Sequence, residues 1–241
     1  MTQEQEFLIG KTSAEWAQKA GIDFWYESET TSTNDIAKSS STSEKNSIRL
    51  YFTDNQTQGR GRGQNNWSTT DVGNNLLSSW SFQLGKPPQP IMAAALGLAV
   101  YRALVASWPQ LAWSLKAPND IFLTDKKVAG LLIETISEGG KLRLVLGLGL
   151  NVFSKPDLPT ATCLAENLAA LSVQDWCQTL DRLLLEITMT LAGTGPELSE
   201  SQQDALLAAL NKNPLSQEKL LRVEANGNLV KPTGVTRWRD L

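Results

Sequence analysis

The sequence contains no histidine. Ser-His-Asp hydrolysis, Cys-His proteolysis and histidine-based zinc sites are therefore excluded. Any chemistry must run on lysine, arginine, carboxylates, amides or a substrate already reactive at neutral pH. Cysteine is scarce: Cys163 and Cys177 lack metal-ligand spacing and read as small buried thiols of a reducing, cytoplasmic compartment. Long uninterrupted apolar runs are missing. The nearest, Ile91 to Trp108, is broken by Arg102 and rich in alanine, which fits a buried helix and not a membrane span. The first residues, Met1-Thr-Gln-Glu-Gln-Glu6, lack the basic-then-apolar form of a signal peptide. A basic excess is also absent: with a net charge of −3, a general nucleic-acid binder is not expected.

What is present describes a globular chain. With 41% apolar and 20% charged residues over 241 positions, it can bury one sizeable core, with or without a small appendage. Residues 1–22 are polar, with a short helical stretch around Ser13 to Lys19, too little for a DNA-reading module. Asp23 to Glu27 and Ile48 to Phe52 read as strands. Thr30 to Asp35 offers N-caps for a short helix through Lys38, and Ser39 to Ser43 reads as a loop. Asn74 to Phe82 is a strand, and Pro87 to Pro90 stops it and starts the alanine-rich helix. Three apolar runs, Leu111 to Leu123, Val128 to Ile136 and Leu142 to Val152, have connections short enough for an antiparallel meander. Two helices follow, one capped by Ser172 and one over 199–211, and Asn226-Gly-Asn predicts a late hairpin. The fold class expected is α+β: a mostly antiparallel, mixed sheet with helices packed on one side.

The stretch Gln56-Thr-Gln-Gly59-Arg60-Gly61-Arg62-Gly63-Gln-Asn-Asn-Trp67 alternates three glycines with two arginines directly after a strand. Glycines let consecutive backbone N–H groups turn toward one oxyanion, and arginines add forked donors for carboxylate or phosphate. The spacing is neither a Walker loop nor a dinucleotide fingerprint. A flexible surface loop or an RNA tether of the Arg-Gly-Gly type is the competing reading.

Two other stretches bear on it. Leu142 to Asn151 alternates strictly, so Leu144, Leu146, Leu148 and Leu150 face a core while Gly147, Gly149 and Asn151 share the other face. Bare glycines in a strand imply that something comes close, either a flat ligand with Asn151 at its polar edge or a second packed layer. Lys116-Ala-Pro-Asn119-Asp120 precedes a hairpin returning through Lys127-Val-Ala-Gly130. Lys127 is in phase with Ala129 and Leu131, so its ammonium either meets an anion or snorkels to water.

Ser32-Thr33-Asn34, Gln56…Gly59-Arg-Gly-Arg62…Trp67, Lys116-x-Pro-Asn-Asp120, Lys127-x-x-Gly130 and Gly147-x-Gly-x-Asn151, in that order, resemble the catalytic domain of biotin–protein ligases over about residues 25–190. The resemblance implies a biotin/lipoate ligase-like, class II synthetase-like fold. It also implies formation of biotinyl-5′-AMP from biotin and ATP with Mg²⁺, then transfer to a lysine of a biotin carboxyl carrier protein. Biotin's carboxylate is ionised at pH 7, so the first step requires no histidine base. By the same resemblance Ser32, Thr33 and Gln56 hydrogen-bond the ureido ring, and Gly59 and Arg60 close over biotin and the adenylate. Arg62 and Trp67 face the nucleotide, and Lys127 bridges biotin carboxylate and α-phosphate as the first catalytic candidate, with Arg60 beside it. Gly147, Gly149 and Asn151 line the biotin and adenine floor, while Lys116, Asn119 and Asp120 frame ATP; metal ligands are left unassigned.

The chain departs from the family pattern at Gln64-Asn65-Asn66, where more basic residues are usual, and at Ala117, where tryptophan is usual. The expected organisation is an N-terminal extension 1–22, a catalytic domain 23–212 and a tail 213–241 as the remnant of an SH3-like domain, in which Arg237 or Arg239 replaces a lost contact. Neither DNA nor a membrane is expected as a partner, and a homodimer is compatible with the sequence. The competing functions are a lipoate- or octanoate-protein ligase and a non-catalytic module that holds biotin or a nucleotide.

Overall fold

A computed structural model describes residues 7–40 and 47–241, apart from the side chain of Arg239. The first six residues, on which the signal-peptide reading rests, and the serine-rich loop beyond Ser40 lie outside the described residues. In chain order the elements are α1 (Ile9–Lys19), β1 (Phe24–Thr30), α2 (Thr33–Ser39), β2 (Ile48–Gln56), β3 (Asn75–Leu84), α3 (Met92–Ser107), β4 (Trp113–Lys116) and β5 (Asp120–Leu123). These are followed by β6 (Lys126–Glu138), β7 (Lys141–Asn151), α4 (Val173–Gly193), α5 (Glu200–Asn211), β8 (Arg222–Val223), β9 (Leu229–Lys231) and β10 (Gly234–Thr236). The α+β class and the mostly antiparallel sheet are as the sequence predicts.

The chain divides into two compact units. The first, Met1–Pro88 with Val128–Cys177, carries strands in the order β1-β2-β3-β7-β6. The β1–β2 pair is parallel and the others antiparallel. Register puts Ser79 opposite Gly147, Leu77 and Gly130 opposite Gly149, and Glu134 opposite Val145. Leu144, Leu146, Leu148 and Leu150 are buried to within 1% exposure, so the leucine face of β7 is core as its alternation predicts. On the other face α2 packs through Ala37 against Tyr51 and Val145. Arg143, only 4% exposed, donates to the carbonyls of Ala37 at 2.9 Å and Lys38 at 3.1 Å, satisfying acceptors that the end of a helix leaves open.

Helix α1 is longer than local pattern indicates and packs on β1 and β2. Leu8 at its N-cap makes no side-chain cap bond; the Asp54 carboxylate of β2 accepts from Lys11 N at 3.2 Å instead, and also accepts from Tyr26 Oη. A cap supplied by a strand more than forty positions away leaves no local signature. Trp176, fully buried, donates its indole N–H to Ser13 at 3.0 Å. Ser172 and Asp175 cap α4 reciprocally, as the sequence predicts for Ser172.

The second unit, Gln89–Lys127 with Gln178–Leu241, packs α3 against α5 and β4. The apolar run 111–123 is two strands, because the Ala117–Pro118 turn divides it into a hairpin with Lys116 opposite Asp120. Ser199 and Gln202 form a capping box on α5. The predicted Asn226-Gly-Asn turn joins β8 to β9, with Gly227 at φ +82°, and β10 completes a three-stranded antiparallel sheet. Among the described residues no helix is long and apolar enough to cross a membrane.

A Cβ on Gly10 would stand 2.5 Å from the Thr53 carbonyl oxygen, a backbone atom that cannot yield without moving β2. Gly10→Ala is expected to lower stability by about 1–3 kcal/mol through overpacking, read as a fall in the urea midpoint; an unchanged midpoint would show that α1 is not seated on β2.

Candidate active site

Four uncharged polar side chains, Gln56, Thr33, Asn34 and Ser79, come together where β2 ends and α2 begins. Gln56 Oε1 accepts from Thr33 N at 2.8 Å and from Thr33 Oγ1 at 3.2 Å, while Ser79 on β3 reaches Thr33 Oγ1 at 2.8 Å and also Asn34 Oδ1. Ser32, Thr33 and Asn34 are each at most 4% exposed. The short helix holds these residues at its first turn and is fixed at its far end by Arg143, which ties the cluster to the sheet.

The Gly/Arg stretch folds as a small hairpin. Trp67 N donates to Gly59 O at 2.9 Å, Gly61 N to Asn65 O at 2.7 Å, and Asn65 N to Arg62 O at 3.2 Å, with Gly63 in the turn at φ +66°. These three N–H groups are spent on the hairpin's own carbonyls, and Gly61 is the one glycine among them. Glycine is required at 59 because any Cβ would collide with the Trp67 carbonyl.

The hairpin lies over the glycine face of β7. A Cβ on Gly149 would stand 2.5 Å from the Trp67 indole, and one on Gly147 would collide with the Asn34 amide. Of the two readings of the bare glycines, close packing of a second layer is what the structure displays, with Trp67 and Asn34 as that layer. Asn151, 2% exposed, donates from Nδ2 to Thr162 O at 3.0 Å. Its buried Oδ1 has no hydrogen-bond partner. Arg62 is exposed near the hairpin tip.

Arg60 is gripped from below. Its Nη2 lies 2.5 Å from Glu134 Oε2 and 3.1 Å from Asp35 Oδ1. Glu134 also accepts from Asn34 Nδ2 at 2.9 Å and Lys38 Nζ at 3.0 Å. Burial pushes the Glu134 carboxyl up, but the hydrogen bonds from Asn34, Lys38 and Arg60 outweigh burial and hold it below the usual glutamate range. Glu134, Asp35 and Ser79 were not among the residues that motif reasoning selected. Glu134 is nevertheless a lone carboxylate in the apolar run Val128 to Ile136, in phase with Gly130, and that pattern alone singles it out.

In the second unit, Lys127 Nζ meets Asp120 Oδ1 at 2.7 Å, with Lys127 37% exposed and Asp120 23% exposed. The ammonium thus meets a carboxylate at a position where the lysine side chain also remains partly in solvent. Lys116 Nζ lies 5.5 Å from the Phe122 ring centroid, and Asn119 stands in the intervening turn. The first unit thus brings together Ser32, Thr33, Gln56, Gly59, Arg60, Trp67, Gly147 and Gly149, and the second holds Lys116, Asn119, Asp120 and Lys127. Among the described residues no three histidine, cysteine, aspartate or glutamate side chains gather as metal ligands.

A family model described as the biotin/lipoate A/B protein ligase family matches residues 26–151. The bifunctional ligase/repressor BirA of Bacillus spizizenii is 34% identical over 113 residues, 45% of this chain and 34% of that protein. The chain thus matches about a third of the length of such BirA relatives. The biotin–[acetyl-CoA-carboxylase] ligase of Mycobacterium tuberculosis is 30% identical over 186 residues, 75% of this chain and 66% of that protein. In fold, the chain is similar to the biotin protein ligase from Aquifex aeolicus in complex with biotin and ATP, with a TM-score of 0.66, 22% identity, and coverage of 89% of this chain and 94% of that one.

Two outcomes are expected. Gly59→Ala should open the hairpin, read as loss of amide-exchange protection at Trp67 and Gly61, with protection elsewhere in the sheet retained. Because the Glu134 carboxyl is depressed in the folded protein, its stabilising contribution is full above the ordinary glutamate range and is lost as pH falls through the depressed value. The difference in thermal midpoint between the parent protein and Glu134→Gln should accordingly vanish under acid; a difference independent of pH would contradict the ionised pairing.

Proposed function

The chain belongs to the biotin/lipoate A/B protein ligase family, and on that premise we propose that it activates biotin with ATP and passes the biotinyl group to a lysine of a biotin carboxyl carrier protein. The observation that carries this reading is the polar cluster Thr33–Gln56–Ser79 beside the clamped Arg60. A bicyclic urea supplies both donors and an acceptor to such a hydrogen-bonded cluster, whereas the dithiolane of lipoate or the chain of octanoate offers it no matching donor or acceptor. The polar cluster therefore favours biotin over the fatty acids.

In the first step a biotin carboxylate oxygen attacks the α-phosphorus of ATP, and the bond to pyrophosphate breaks, leaving a mixed anhydride. In the second the neutral ε-amine of the carrier lysine attacks the anhydride carbonyl, an amide forms, and AMP leaves. The first step is limited by negative charge brought together at the reacting phosphate, which cationic side chains offset without proton transfer; in the second, the attacking amine gives up its proton to the departing AMP or to water as the amide forms. Lys127, already paired with the carboxylate of Asp120, is assigned the carboxylate and α-phosphate; exchange of Asp120 for substrate oxygens holds its charge compensated throughout. The unpartnered, buried Oδ1 of Asn151 suits an exocyclic amine such as that of adenine. In this reading Mg²⁺ comes with the ATP phosphates, since no three carboxylates gather among the described residues. Two cysteines held as thiols and a dependence on ATP support a cytoplasmic location.

Incubation with biotin, ATP, Mg²⁺ and a carrier domain should give biotinyl-5′-AMP by mass and a streptavidin-reactive carrier. Lys127→Ala should cut the rate of adenylate formation on the order of a hundredfold with circular dichroism unchanged. Pyrophosphate exchange driven by lipoate and not biotin would overturn the assignment, and biotin binding with no adenylate would mark a non-catalytic module.

A further inference from the structure

The residues around Glu134 form a closed circuit. Starting from Gln56, contacts run to Thr33, to Ser79, to Asn34, to Glu134 and to Arg60, which stands four positions after Gln56 in the chain. Ser79 has one hydroxyl proton and two acceptors, so what it gives Asn34 it withholds from Thr33. Lys38 and Asp35 brace the circuit: Lys38 Nζ is 3.0 Å from both Asp35 and Glu134, and Asp35 shares Arg60 with Glu134. Two carboxylates and two cations thus balance, and Glu134 is the member touching three of the other side chains at once.

We propose that Glu134 is a positioning residue, which through Arg60 and Asn34 locks the Gly/Arg hairpin to the polar cluster and so sets how long an acyl-adenylate is retained. The inference rests on the reading of this chain as a biotin ligase. Glu134 faces the hairpin and the helix and makes its contacts with protein cations and an amide, so it acts through them. Removing its charge leaves Arg60 ion-paired with Asp35 alone and takes the charged acceptor from the Asn34 amide, which covers Gly147 and keeps its contact with Ser79. The hairpin then keeps its own backbone bonds but loses its fastening to the sheet.

The test compares the full-length parent protein, Glu134→Gln and Glu134→Asp by two measurements. One is the rate of tryptic cleavage after Arg60 and Arg62 in the ligand-free protein. The other is the rate at which preformed biotinyl-5′-AMP escapes during a chase with excess unlabelled biotin, with the KM for ATP followed in parallel. For Glu134→Gln both rates should rise about tenfold, the scale of one charge-assisted hydrogen bond. The KM for ATP should stay within about twofold, and Glu134→Asp should recover part of both rates. Unchanged cleavage would overturn the proposal, since the hairpin would not depend on Glu134; faster cleavage with unchanged escape would overturn the link to retention. If the parent protein makes no adenylate, the biotin reading fails, and the cleavage arm still decides whether Glu134 fastens the hairpin.

Discussion

A carboxylate set among apolar neighbours on a sheet face must be met by donors, or the sheet around it loses stability. Glu134 is met by three: an amide from helix α2, an ammonium from the same helix and a guanidinium from the Gly/Arg hairpin. Each hydrogen bond to a charged group contributes on the order of 1.5–3 kcal/mol when shielded, and less at the partial exposure here. Energy is only part of the result. Two segments distant in sequence, helix α2 and the Gly/Arg stretch, are drawn to one carboxylate on β6, and the residues they carry, Thr33, Gln56 and Arg60, become neighbours for that reason.

The glycines of β7 are the steric counterpart of that electrostatic constraint. Helix α2 and the hairpin can approach the sheet only where side chains are missing, and at Gly147 and Gly149 the layer above fills the vacated space with Asn34 and Trp67. A methyl group at either position would lift an aromatic or an amide off the strand. Close packing thus occupies the same two positions that the family resemblance assigns to the ligand floor, and the alternation of the strand is the same for both uses.

Much of the fold is legible in the sequence because its signals are local. The strict alternation of β7, the capping residues Ser172 and Ser199, and the Asn-Gly turn before β9 each specify geometry within a few positions. The candidate site is legible as a set of motifs, but its connections are not. Asp54 caps α1 from another strand, and Glu134 joins Arg60 across 74 positions, so neither appears as a pattern around the residue it serves. The hairpin made by the Gly/Arg stretch is likewise not legible in the motif: Gly61 turns its N–H to the carbonyl of Asn65, and Gly59 gives its own carbonyl to Trp67.

That self-closure bears on what a ligand must supply. Because bonds between Gly59 and Trp67, and between Gly61 and Asn65, fix the segment from within, most of its conformational entropy is given up when the chain folds. A ligand bound against a segment ordered in this way has little polypeptide left to organise, so little of its affinity is consumed in stiffening the chain.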